Sequence, residues 1–279
     1  MEELPIHIGY ISWKGRRAEN QDSFYCDALQ GHIQVALAVA DGMGGEQGGD
    51  VASQIAIQTF RQQIENLPSL PLKKWRKTLH QIYQNANQQI LQHARTNPLL
   101  DGMGTTLVSA LVVENHLIAA NVGDSRLYHI HGNQVKQISK DHNMLEEIMS
   151  KKNFSIQKIQ NKKDYYASTL LRSLGEKEKI QVDFFPPQGN GYELQPGDIY
   201  LLCSDGLVGN ALEPFLSAQE IAKICANSSS AQKTCHRLAQ TAYQNGSDDN
   251  ITAVLLKVGK RRRKFTGSFL SPPTEPIKM

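Results

Sequence analysis

Four aspartates stand where apolar runs end or begin. Asp41 closes the run VALAVA and is followed by Gly-Met-Gly-Gly, and Asp205 closes IYLLCS and is followed by Gly206. Asp249 lies between Asp248 and Asn250, just ahead of ITAVLL, and Asp22 ends the stretch GRRAENQD before another strand-like segment. A carboxylate at the end of a buried strand is aimed by a rigid support. Several of them brought together would repel one another unless cations lay between them. An all-oxygen donor set suits Mg²⁺ or Mn²⁺, and no His/Cys cluster is apparent to compete for zinc. Gly42 lacks a side chain and can offer its backbone carbonyl as a further ligand, while Gly44 and Gly45 permit a tight approach.

Most Asp-Gly pairs are only turns, and the chain holds its own control. Asp101-Gly102-Met103-Gly104 repeats Asp41-Gly42-Met43-Gly44 letter for letter. The first copy follows an apolar run and precedes a helical pattern. The second follows Asn97-Pro98-Leu99-Leu100 and precedes a strand-like run. Metal binding is therefore assigned to the first copy and a structural turn to the second.

The elements that must position these acids are legible from periodicity. Strands are expected at 6–11, 23–27, 33–40, 198–203 and 251–258. The stretch 106–139 reads as an antiparallel meander broken at Glu114-Asn115, Gly123-Asp124-Ser125 and His131-Gly132-Asn133. Helical spacing covers 48–66, 72–96, 217–226 and 231–244, and Ser217 with Glu220 fits a capping box. Helices come in pairs after runs of strands. That order predicts an α+β fold with two packed antiparallel β-sheets flanked by pairs of helices, an α-β-β-α sandwich, and argues against a doubly wound parallel sheet. Residues 143–169 are polar and Lys-rich with weak periodicity and read as an inserted, mobile, flap-like segment.

With 279 residues, of which 40% are hydrophobic and 20% charged, the chain can bury a sizeable core. One domain is expected over 1–259, followed by a basic, Pro-containing flexible tail over 260–279. Lys260, Arg261, Arg262, Arg263 and Lys264 outweigh the formal net charge of +3, so the body itself carries no nucleic-acid-like excess. A metal-dependent nuclease is disfavoured on that ground. The N-terminus lacks a signal-peptide pattern and the apolar runs are strand-sized, which predicts a cytoplasmic monomer without a membrane span. Cys26, Cys203, Cys225 and Cys235 show no C-x-x-C spacing and read as free thiols.

Seven segments together carry a resemblance: RAENQD at 17–22, VADGMGG at 39–45, MGTT at 103–106, NVGDSR at 121–126, DH at 141–142, SDGL at 204–207 and SDDNIT at 247–252. In this order they resemble the metal-dependent protein phosphatases, the type 2C serine/threonine phosphatases, in their bacterial branch. The resemblance spans roughly 6–258. It implies that Asp41 bridges two tightly bound Mn²⁺ or Mg²⁺ ions, that Gly42 offers its carbonyl to one, and that Asp205 and Asp249 complete the shell of the other. Asp22 would act through bound water, and Asp124 with Asp205 would hold a third, weaker ion. Arg17 would grip the substrate phosphate with its planar fork, and Arg16 would be a surface charge. The implied reaction is hydrolysis of phosphoserine and phosphothreonine in proteins by a metal-bridged water, without a covalent phosphoenzyme. The implied partners are phosphorylated proteins, substrates of a serine/threonine kinase. Two departures stand out. Met43 occupies a position where some relatives carry His, a candidate general acid. The His-Pro pair usual ahead of Leu174-Gly175 is absent. The histidines, His142 included, read as structural or surface residues.

Overall fold

Alternation along one strand sets the layers. In β3 (Ile33–Met43), Val35, Leu37 and Val39 enter one apolar cluster, whereas Ala36, Ala38 and Ala40 enter another. Successive strand side chains point to opposite faces, so a strand buried on both faces sits between two cores. The computed structural model describes residues 4–259 apart from 30–32, 69, 152–154 and 156–158. The tail over 260–279 and part of the flap-like segment lie outside the described residues.

The first sheet has the order β10 (Tyr192–Glu193), β6 (His116–Val122), β5 (Leu107–Val113), β3 and β2 (Asp22–Ala28). Two short strands join it, β4 (Gly104–Thr105) on β3 and β9 (Asp183–Phe185) on β6. The second sheet runs β1 (Ile6–Trp13), β12 (Ile251–Val258), β11 (Asp198–Cys203), β7 (Arg126–His131) and β8 (Gln134–Gln137). Every pairing is antiparallel. The sheets meet through Val35, Leu37, Val108 and Val112 on one side and Leu127, Leu202, Val254 and Leu256 on the other.

Helices cover the outer faces. α1 (Gly45–Glu65) and α2 (Trp75–Thr96) bury Phe60, Trp75 and Tyr83 against the alanine face of β3. Burying a side chain of that size contributes about 1.5–3 kcal/mol. Small alanines on the strand bring the helices close. α6 (Ala218–Ala226) and α7 (Ala231–Gln244) bury Ile221, Cys225 and Leu238 against the second sheet. α6 begins with the expected capping box, since Ser217 and Glu220 each accept from the other's backbone N–H. The α-β-β-α sandwich is the observed architecture. All four cysteines are free, and no helix among the described residues is long and apolar enough to cross a membrane.

One expectation needs correction, and one segment carries helices that its sequence did not show. The stretch 106–139 is not one meander, because β5 pairs with β6 and β7 with β8, while β6 and β7 lie in different sheets. At Gly123-Asp124-Ser125 the chain crosses between layers, with Gly123 at φ +104°. The segment 143–169 contains two short helices, α3 (Met144–Met149) and α4 (Lys163–Ser168), each too short to show a helical period. Asn143 starts α3 by accepting from the Glu146 N–H. A further one-turn helix, α5 (Asp205–Val208), follows β11 directly.

Candidate metal centre

The acids converge because strand ends from both sheets meet at one edge of the sandwich. β2 and β3 pair with Asp22 opposite Asp41. The Asp41 backbone is held on both sides: its N–H donates to Thr106 Oγ1 at 2.9 Å, and its carbonyl accepts from the Thr106 N–H at 2.9 Å and from Thr105 Oγ1 at 2.8 Å. The second sheet delivers Asp205 where β11 passes into α5. Ser204, one residue earlier, donates to Asp22 Oδ2 at 2.7 Å and so ties the two sheets together under the site. Asn250 fixes the RAENQD loop to the start of β12. Its Oδ1 accepts from the Gln21 N–H at 2.9 Å, and its Nδ2 donates to the carbonyls of Lys14 and Glu19.

Gly42 is required by packing. A Cβ there would stand 1.9 Å from the carbonyl oxygen of Gly49 in α1 and 2.7 Å from that of Gln21. The two DGMG copies meet face to face, for Met43 pairs with Gly104 and Gly42 with Thr105. Asp101 is exposed and lies off the site, as its assignment to a turn requires.

A cleft of about 790 Å³ opens above the acids, lined by Arg17, Asp41, Met43, Asp124, Asp205 and Asp249, with Ser168 of α4 at its rim. A groove of about 840 Å³ between α2 and residues 178–180 is larger, but its charges are chiefly Arg95 and Glu178, which pair with each other at 3.0 Å. It has no converging carboxylates.

Burial dominates the electrostatics of the acids. Asp22 is pushed up to about 7 by desolvation, with further repulsion from Asp205 and Asp249 and opposition from the Ser204 and Thr252 hydrogen bonds. Asp124 rises to about 8, first through burial and then through Asp205 and Asp141. Asp41 is raised well above the carboxylate range by burial, then by Asp22 and Asp205. Burial also raises Asp205, with Asp249 adding to it and a hydrogen bond from Asp41 opposing. Asp22 Oδ1 is buried with no hydrogen-bond partner. A buried, unpaired carboxylate oxygen among other carboxylates is costly, and a hard divalent cation is the group that relieves it. The residues therefore fit Mg²⁺ or Mn²⁺.

Arg17 is exposed at the rim. Its Nη2 donates to Asp249 Oδ2 at 2.8 Å and its Nε to the Asp248 carbonyl at 3.0 Å. Arg16 turns away, its guanidinium 4.6 Å from the centre of the Tyr243 ring. Asp124 is set by its neighbours. Asn143 donates to Asp124 Oδ2 at 3.2 Å, and the Gly123 N–H donates to His142 Nδ1 at 3.1 Å. That bond leaves the His142 proton on Nε2, which donates to Asp183 at 3.1 Å. His142 is thus buried and bonded on both ring nitrogens.

Sequence reading missed Ser204, Asn250 and Thr106 as supports, although each flanks or lies inside a quoted motif. One grouping was not apparent in the sequence. Among the described residues, His129, His131 and Asp198 bring their ligand atoms within 4.8 Å of one another. The signal was a His-x-His pair on one strand face, whose acidic partner lies on another strand far along the chain.

Comparison with known proteins follows the same lines. The family described as "Protein phosphatase 2C" matches residues 14–241. A Listeria welshimeri protein described as serine/threonine phosphatase stp is 33% identical over 257 residues, covering 90% of this chain and 96% of that one. The Mycobacterium tuberculosis serine/threonine protein phosphatase PstP is 31% identical over 262 residues, covering 92% of this chain and 46% of that longer protein. Among solved structures, the Staphylococcus aureus serine/threonine phosphatase Stp1 superposes with a TM-score of 0.81 at 26% identity, covering 93% and 98% of the two chains. The catalytic domain of PstP in complex with two manganese ions gives a TM-score of 0.74 at 29% identity, covering 92% of this chain and all of that one.

Proposed function

This chain belongs to the protein phosphatase 2C family, and from that premise we propose that it removes phosphate from phosphoserine and phosphothreonine in proteins at the acid-lined cleft. The observation that carries the reading is the unpaired, buried Asp22 Oδ1 within a group of carboxylates whose proton affinities are raised by burial and by one another. Asp41 would bridge two cations, Gly42 would offer its carbonyl to one, Asp205 and Asp249 would be direct ligands of the other, and Asp22 would act through water. Asp124 with Asp205 would hold a third ion weakly. Mn²⁺ or Mg²⁺ held there supplies Lewis-acid chemistry, making water a nucleophile near neutral pH and neutralising charge on the phosphoryl oxygens.

The chain's own residues bind and orient. Arg17 rests on Asp249 and exchanges that partner for the substrate phosphate, which its fork matches in two parallel hydrogen bonds. Among the described residues that line the cleft there is no His or Cys. Thr106 Oγ1 is engaged by the Asp41 N–H and by Ser125 Oγ at 2.6 Å, which leaves it ill suited to attack phosphorus. Direct hydrolysis by a metal-held water, without a phosphoenzyme, is the mechanism that membership of the family implies. Ser168 of α4 lines the cleft, which supports 143–169 as the segment that would meet the protein substrate. The substrates are products of a serine/threonine kinase, and the enzyme works as a cytoplasmic monomer whose tail over 260–279 is not needed for chemistry.

The test is chelation. Exhaustive EDTA treatment should abolish hydrolysis of a phosphothreonine peptide, and Mn²⁺ should restore it. Full turnover with no metal left by elemental analysis would sink the reading.

A further inference from the structure

At the end of the sandwich remote from the cleft, the same two strands carry a second set of donors. β7 begins two residues after Asp124 and ends at His131, and β11 begins at Asp198 and ends two residues before Asp205. His129 and His131 are two residues apart and therefore share a face of β7. Antiparallel register places Asp198 directly opposite His131 and Tyr200 opposite His129. Both imidazoles converge on one oxygen. His129 Nε2 lies 2.9 Å from Asp198 Oδ1, and His131 Nδ1 lies 2.8 Å from the same atom.

We propose that His129, His131 and Asp198 form a binding site for one borderline divalent transition cation, zinc foremost, about 20 Å from the acid cluster by the length of the connecting strand. The donor set is two imidazoles and one carboxylate, the chemistry that selects zinc and its neighbours over Mg²⁺ or Ca²⁺. The donors are preorganised. Asp198 Oδ2 accepts from the Gln195 N–H at 2.8 Å, and the His129 ring stacks on Tyr200 with centroids 4.9 Å apart. Such outer contacts are what orient metal ligands.

Geometry and charge both favour the ion. A tetrahedron with bonds of about 2.0 Å has edges of about 3.3 Å. Each imidazole would withdraw by about half an ångström from Asp198, and the two ring nitrogens, which lie within 4.8 Å of each other, would take up the same edge, each ring proton sitting on the opposite nitrogen. The Asp198 side chain is 4% exposed, so its charge is poorly hydrated. The two imidazoles give that carboxylate hydrogen bonds, and a divalent cation would supply both ligation and charge in their place. The side chains of His129 and His131 are 32% and 56% exposed, which leaves an approach for the ion and a fourth position for water.

The full chain, saturated with Mn²⁺ to occupy the acid cluster, is titrated with Zn²⁺ by calorimetry beside His129→Ala and His131→Ala. One zinc equivalent should bind to the parent protein and weaken at least tenfold in either variant. An unchanged isotherm in both variants overturns the site. Cu²⁺ gives a second readout that is taken first on the parent protein. Pulsed electron paramagnetic resonance should show imidazole nitrogens coupled to one bound copper, which the all-oxygen acid cluster cannot provide. Absence of that coupling in the parent protein overturns the proposal, as does its persistence in the His129→Ala/His131→Ala double variant.

Discussion

A carboxylate oxygen that is buried, unpaired and surrounded by like charge persists only if something else compensates it, and here the compensation is divisible by residue. Asp41 sits at the most loaded position, raised by Asp22, Asp205, Asp124 and Asp249 in turn after burial itself. Asp41→Asn keeps the shape and removes the charge. Turnover of a phosphopeptide with Mn²⁺ should fall by at least a thousandfold while circular dichroism remains that of the parent. Asp101→Asn alters the same letter in the repeated motif, at an exposed position, and should stay within twofold. Near-parental rates in Asp41→Asn would remove it from the centre. Arg17 and Arg16 form a similar pair. Arg17 faces the cleft, while Arg16 lies over Tyr243 and donates to its carbonyl at 3.2 Å. Arg17→Lys should lower kcat/KM for a phosphopeptide about tenfold or more, and Arg16→Lys should change it less than twofold. A larger effect at Arg16 would show the motif to be misregistered. At this scale the acids and Arg17 were legible because each ends an apolar run or lies in a quoted motif. Ser204 and Asn250 were not, because a hydroxyl or an amide becomes a support only when the other sheet arrives beside it.

Elements are positioned by close backbone approach, and the two DGMG copies separate that effect from composition. Gly42 lies under α1, with the Gly49 carbonyl where a Cβ would go. Gly42→Ala therefore forces α1 off β3. Overpacking of this kind costs about 1–3 kcal/mol, so Tm should fall by several degrees and activity should fall with it, as Asp41 shifts. Gly102 has φ +75° and nothing within 4 Å of its virtual Cβ. Gly102→Asn, which tolerates that backbone, should leave Tm within about a degree. Equal melting of the two variants would mean that Gly42 is not packed as described. Periodicity located the long strands and helices to within a few residues, and α7 matches the expected 231–244. It failed in two physical situations. Local patterning could not show that Gly123-Asp124-Ser125 crosses between sheets, since a turn residue looks alike whether the next strand pairs or departs. Helices of one or two turns, such as α3, α4 and α5, are fixed by caps and tertiary contacts and not by a period. The crossing has its own consequence for Asp124, which is buried and held by Asn143. If it serves only a weak third ion, Asp124→Ala should raise the Mn²⁺ concentration for half-maximal rate and leave two tight ions by elemental analysis. Superimposable Mn²⁺ titrations would return Asp124 to a turn role.

Over the whole molecule, the sandwich is joined at one edge by carboxylates from both sheets, so its stability is coupled to what neutralises them. Asp22 rises from 3.8 to about 7 and Asp124 from 3.8 to about 8, both chiefly through burial. An acid whose folded pKa exceeds its unfolded value binds more protons when folded. Its stabilising contribution is complete below about 3.8 and disappears as pH rises through the folded pKa. For chelated protein the Tm should therefore fall between about pH 5.5 and pH 8.5, opposite to the trend set by carboxylates held in ordinary ion pairs. Cations reverse the sign, because they bind the deprotonated acids and compete with protons for them. Added Mn²⁺ should raise Tm little at pH 5.5 and by several degrees at pH 8.5, since ligand binding to the native state alone stabilises it by mass action. The measurement is a thermal melt at a series of pH values with EDTA and with millimolar Mn²⁺. His142 tests whether the slope comes from the acids. Burial lowers its pKa, so it adds stability that grows with rising pH through the unfolded histidine range, against the predicted trend. If the melts rise with pH in EDTA, or if the Mn²⁺ increment is the same at both ends, the buried acids are not the groups that couple metal to fold. If instead the EDTA slope flattens in Asp22→Asn while His142→Gln leaves its sign unchanged, the coupling belongs to the carboxylates that join the two sheets.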